Sequence, residues 1–187
     1  MKIAHVHIPK TAGGSVNDWF KKNSPDTLIF TGHKTLDKCD EDYDFSFCIF
    51  RNTYHRLISA YEFSRTESVR KYNKRIKKGD YVGAQEAKDI MEKEDEGIIS
   101  WLSYHIDRDA NTFWTLDRWS KDVDLILHQE NLSVDFQQIQ KKINCFVPLE
   151  KSHHVLNYDR KKYLTEEYID FVTKNYKEEI EKYGYQP

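Results

Sequence analysis

The chain has 187 residues and a formal net charge of -2, with 39% hydrophobic and 14% aromatic side chains, a globular composition long enough for one core. The near-neutral balance predicts no nucleic-acid partner, no apolar stretch approaches the ~20 residues of a membrane span, and the strand pattern starts too early for a signal peptide. Three cysteines, Cys39, Cys48 and Cys145, lack C-x-x-C spacing, which fits free thiols in a reducing compartment and predicts a soluble, cytoplasmic protein.

Ile3 to Ile8 reads as a buried strand, followed by a short helix over Val16 to Lys22 whose N-cap is Ser15 or a neighbouring glycine. Thr27 to Thr31 supplies a second strand ended by Gly32-His33. Phe45 to Phe50 supplies a third, which runs into Arg51 and a helical pattern with Tyr54, Leu57, Ile58 and Tyr61 on one side. This order of strand, turn and helix predicts an α/β, three-layer P-loop-like fold, with a central parallel β-sheet flanked by helices. From Arg65 to Glu96 the chain is highly charged, with Lys78-Gly79-Asp80 as a turn between two helical pieces; by composition it is the least ordered part, a charged helical insertion. Ile98 to Ile106 reads as a helix, Asp124 to His128 as a strand, and Asn131 to Ile143 and Thr165 to Tyr183 as helices, the last capped by Thr165. No repeat or low-complexity linker marks a boundary, so 1–187 is read as a single domain.

Two segments carry the chemistry. In Ile8-Pro9-Lys10-Thr11-Ala12-Gly13-Gly14-Ser15 a strand empties into a lysine, two glycines and a serine before a helix. Glycine lets backbone N–H groups close on oxyanions, and the helix N-terminus adds positive potential. The full G-x-x-x-x-G-K-[ST] pattern is absent, so this is not a standard ATP or GTP loop. By itself the turn is equally well an anion site or a tight turn with an exposed lysine. The second segment, Arg51-Asn52-Thr53-Tyr54-His55-Arg56-Leu57-Ile58-Ser59-Ala60-Tyr61, also leaves a strand at its carboxyl end, where ligands of open α/β sheets sit. Arg51, by its planar fork, and Ser59, by its hydroxyl, are placed to grip a second phosphate. Alone, it reads slightly better as an amphipathic helix with ordinary surface arginines.

Taken together, the two segments resemble the sulfotransferase family that uses 3′-phosphoadenosine 5′-phosphosulfate, and within it the branch of carbohydrate sulfotransferases. The likeness continues through Leu125-Ile126-Leu127-His128-Gln129-Glu130-Asn131-Leu132, similar to the family's strand followed by Glu-Asn/Asp-Leu, and closes with Tyr176 to Tyr185. The resemblance implies that Lys10, Thr11, Gly13, Gly14 and Ser15 bind the 5′-phosphosulfate and that Arg51 and Ser59 bind the 3′-phosphate. It implies transfer of a sulfuryl group to an acceptor hydroxyl, on a glycan or small molecule. Thr53 stands where the family commonly has Pro, and Glu179 near where it has Asp.

His33 follows the second strand and opens onto the same crevice; an imidazole with an ordinary pKa near ~6.5 can take a proton from a hydroxyl at neutral pH. Related carbohydrate sulfotransferases resemble this in placing a His or Glu there as general base, and the alternative for His33 is a loop residue capping a turn. Lys10 would neutralise the leaving phosphate oxygen, so no metal is required. His5 and His7 share a strand face and read as packing, since no third metal ligand stands at a credible spacing. Lys151 and Ser152, beside His153-His154, are similar in place to a late basic loop that closes over the nucleotide. Arg70 to Lys78 is a solvated helix face paired with the acidic stretch after it, or a patch that steers a polyanion. Trp101, Trp114 and Trp119 remain unassigned between core and sugar stacking. Two other functions stay open: a P-loop-like kinase, disfavoured by the missing G-K-[ST], and a non-catalytic module that binds a nucleotide or acidic glycan.

Overall fold

The computed structural model describes residues 1–150 and 158–187; Lys151, Ser152, His153 and His154 lie outside the described residues. In chain order the elements are β1 (Ile3–Val6), α1 (Gly13–Asn23), β2 (Leu28–Phe30), β3 (Phe45–Phe50), α2 (Thr53–Lys77), α3 (Tyr81–Glu96), α4 (Ile98–Ile106), α5 (Leu116–Trp119), β4 (Leu125–His128), α6 (Leu132–Asp135), α7 (Gln137–Lys142), α8 (Glu166–Asn175) and α9 (Lys177–Tyr183). All four strands pair in parallel, in the order β2-β1-β3-β4. The fold is therefore α/β on a parallel sheet, as the apolar runs predict. Ala4, Val6, Cys48 and Phe50 on one face are as inaccessible as Ile3, Phe47 and Ile49 on the other, the double burial that makes parallel strands read as unbroken apolar segments. The chain leaves β1 toward β2 on one side and returns to β3 on the other, so the strand order reverses between β1 and β3. Ligand crevices of open α/β sheets form at such a reversal.

The described residues form two compact units, one from Met1–Asn52 with 114–150, the other from Thr53–Phe113 with 158–187. The first contains the sheet. Its core joins Ile3, Phe47, Ile49 and Leu127 to Val16, Trp19 and Phe20 of α1 and to Phe136 and Ile139. Val16, Trp19 and Phe20 recur at the spacing of one helix face. The Trp19 indole N–H donates to the Val147 carbonyl at 2.8 Å, which satisfies its polar atom inside that core. The expected helix over Asn131 to Ile143 is instead a 3-10 turn at Gln129–Asn131 followed by α6 and α7. Asp135 accepts the backbone N–H of His128 at 2.8 Å, a side-chain bond that competes with an unbroken helical ladder.

The second unit is helical, built on Tyr54, Leu57, Ile58 and Tyr61 of α2, Trp101 and Leu102 of α4, Phe113, and Tyr168, Val172, Tyr176 and Ile180. The segment expected to be least ordered is regular helix. Residues 78–80 form the anticipated turn, Asp80 caps α3 by accepting from the Gly83 N–H at 2.9 Å, and Arg75 pairs with Asp80 at 2.9 Å. Composition hid this order because the buried stripe of α3 consists of small residues, Gly83, Ala84 and Ala87, while a buried Ser68 donates to Glu94 at 2.7 Å. The helix expected over Thr165 to Tyr183 breaks at Tyr176 (φ -126°), whose buried hydroxyl donates to the Phe113 carbonyl at 2.8 Å. Its N-cap is Thr165, as predicted.

Candidate functional site

The turn after β1 is tightly shaped. Thr11 is wholly buried and its hydroxyl donates to the Ile8 carbonyl at 2.8 Å, so its side chain forms the turn. Lys10 (φ 69°) and Ala12 (φ 68°) both occupy the left-handed region, at about 1–2 kcal/mol each for residues with a Cβ. Strain of this kind gathers at ligand sites, where surrounding structure enforces it. It brings α1 to an abrupt start at Gly13, three residues before the expected Val16, with Ala12 rather than Ser15 or a glycine at the N-cap. Ala12 makes no side-chain capping bond at that end, and no acidic residue lies in the first turn. The backbone N–H groups of Gly13, Gly14 and Ser15 thus begin an eleven-residue helix, a favourable place for an anion.

The turn after β3 is bonded to it. Arg51 donates from Nη1 to the Lys10 carbonyl at 3.0 Å, and the Asn52 N–H donates to Glu130 at 2.8 Å. The exits of β1, β3 and β4 are therefore joined by Arg51, Asn52 and Glu130. Glu130 received no role from the sequence, although it lies in the quoted Glu-Asn-Leu segment. Ser59 belongs to the helical unit and sits on the buried face of α2, 9% exposed. Within that unit Thr53 donates to the buried Glu179, so the two positions that depart from the resembled family's usual residues are bonded to each other.

His33 follows Gly32, whose φ of 65° suits glycine at the end of β2. The His33 ring lies 4.8 Å from that of His7, which lies 5.8 Å from His5. His5 is fully buried and stacks on Phe47 at 4.5 Å. Burial first, and the neighbouring positive charge of His33 and Lys10 next, lower the His7 pKa to about 4. Partial burial of its ring and then Lys10 lower that of His33, which is otherwise solvent-exposed; burial and then His7 hold His5 well below the ordinary value. A base kept neutral at physiological pH is what proton abstraction requires.

These shifts set a pH dependence of stability. Unfolded, His7 takes its proton near its ordinary 6.5, and folded only near 4, so between those values the unfolded chain binds more protons and stability falls as the pH falls. The melting temperature should be steady above 6.5 and drop between 6.5 and 4, and His7→Phe should make that drop shallower. An unchanged acid drop in His7→Phe, followed by differential scanning calorimetry, would contradict the assignment.

Among the described residues no three His, Cys, Asp or Glu side chains converge as metal ligands. No helix among them is long and apolar enough to cross a membrane. Trp101 and Trp119 are core residues, whereas Trp114 lies under the Arg118 guanidinium at 3.5 Å. No protein-family model, curated protein or solved structure matches the chain.

Proposed function

We propose that the chain transfers a sulfuryl group from 3′-phosphoadenosine 5′-phosphosulfate to an acceptor hydroxyl, with carbohydrates as the acceptor class. The observation that carries this reading is the Arg51 guanidinium on the Lys10 carbonyl. It couples the lysine-glycine turn to the arginine turn at the reversal between β1 and β3, where a ligand with two separate phosphate positions has a reason to lie. In this reading the N–H groups of Gly13, Gly14 and Ser15, with the Ser15 hydroxyl, orient the 5′-phosphosulfate. Thr11 shapes the turn beneath it, and Arg51 takes the 3′-phosphate.

The acceptor oxygen attacks sulfur in line, forming a new S–O bond as the S–O bond to the bridging phosphate oxygen breaks. The electron pair leaves with the bisphosphate, where the Lys10 ammonium offsets the growing negative charge, an extension to sulfur of the positioning and electrostatics that serve phosphoryl transfer. The acceptor proton passes to His33, which is exposed and returns it to solvent. The test is turnover of labelled donor with a panel of glycan, small-molecule and peptide hydroxyls. Transfer to a glycan is the expected result, and bisphosphate binding with transfer to no acceptor would leave a binding module in its place.

A further inference from the structure

We infer that His7 is a positioning residue for the proposed reaction, wedged between Gly13 of the donor turn and His33 and holding the His33 ring beside that turn. The inference rests on the sulfuryl-transfer reading for its function, but its geometry is independent of it. A Cβ placed on Gly13 would fall 1.9 Å from His7 Cδ2 and 2.2 Å from Nε2, so the His7 ring occupies the space that any side chain at position 13 would need. Its other side meets His33 at 4.8 Å and Phe30 at 5.1 Å between ring centroids. His7 Nδ1 and both nitrogens of His5 are buried without a hydrogen-bond partner. Such orphaned polar atoms are costly, and an apolar ring would fill the same space without that penalty.

Neither inner imidazole is suited to receive the acceptor proton, because both stay neutral far below physiological pH. The proton therefore stops at His33. Of the groups that act on His33, His7, just past the end of β1, covers one side of the ring, and Lys10 acts by its charge.

The experiment compares His7→Ala, His7→Phe, Gly13→Ala and the His7→Ala/Gly13→Ala pair. It uses histidine ring NMR titration of the free protein and calorimetry with 3′-phosphoadenosine 5′-phosphate. In His7→Ala the His33 pKa should rise toward 6.5, with the acid limb of kcat/KM moving with it, whereas His7→Phe, which keeps a covering ring, should hold it low. Gly13→Ala should weaken bisphosphate binding about 10-fold or more, because the methyl collides with the His7 ring. The double variant should recover to within about threefold of the wild type, a coupling expected only of residues in contact. An unmoved His33 pKa in His7→Ala, or additive losses in the double variant, would overturn the inference. A wild type that fails to bind the bisphosphate would instead overturn the sulfuryl-transfer reading, while the ligand-free His33 titration would still decide the role of His7.

Discussion

Lys10→Ala is expected to lower sulfuryl transfer by about 100- to 1,000-fold, the usual loss when a preorganised group facing a developing charge is removed. The loss should fall on kcat more than on KM, because the leaving oxygen gains its charge in the transition state. The fold should be unaffected. Lys10 sits at φ 69°, and alanine bears the same left-handed backbone penalty. Lys10→Gly removes that penalty, offset by glycine's greater unfolded-state entropy, so its stability should match or exceed the wild type by up to about 1 kcal/mol. A variant as inactive as Lys10→Ala yet at least as stable would show that the strained backbone is kept for the ammonium it presents. Inactivity accompanied by a large fall in melting temperature would point to a structural role.

The second large effect is expected at Arg51. Its guanidinium holds the Lys10 carbonyl at 3.0 Å and, in the proposed reading, the 3′-phosphate. Arg51→Ala should weaken binding of 3′-phosphoadenosine 5′-phosphate by about 10- to 100-fold, the range for a charge-assisted hydrogen bond lost from a binding site. The informative comparison is with adenosine 5′-phosphate, which lacks the 3′ group. The wild type should prefer the bisphosphate, and Arg51→Ala should lose most of that preference, whereas Arg51→Lys should keep the charge without the planar fork and recover only part of it. Equal losses for both ligands would assign Arg51 to the turn alone, through Lys10.

The parts of this architecture that were legible in sequence are those set by local pattern. Phe45–Phe50 and Ile98–Ile106 have the predicted limits, because an uninterrupted apolar run and a strong helical stripe leave little choice of structure. The adjacency of the lysine and arginine turns followed from the parallel sheet they leave. Where tertiary contacts decide, the sequence was silent. Two glycines are poor helix formers, yet α1 starts at Gly13 because Ala12 is held left-handed and Thr11 is buried beneath. Glycine at position 13 also admits the His7 ring, an approach that strand alternation could not reveal. Tyr176 reads as one more apolar residue of a long helix, but its hydroxyl bond to Phe113 marks a break. Glu130 has the sequence of an ordinary exposed acid, and its role in holding the Asn52 N–H depends on β4 lying beside β3.

The most direct measurement is isothermal titration of the protein with 3′-phosphoadenosine 5′-phosphate and, separately, with ATP and Mg²⁺. The proposed pair of anion-binding turns, without a complete ATP-type loop, predicts that the bisphosphate binds far more tightly, with the preference reduced in Arg51→Ala. Tighter binding of ATP with Mg²⁺, or no binding of the bisphosphate, would contradict the proposal.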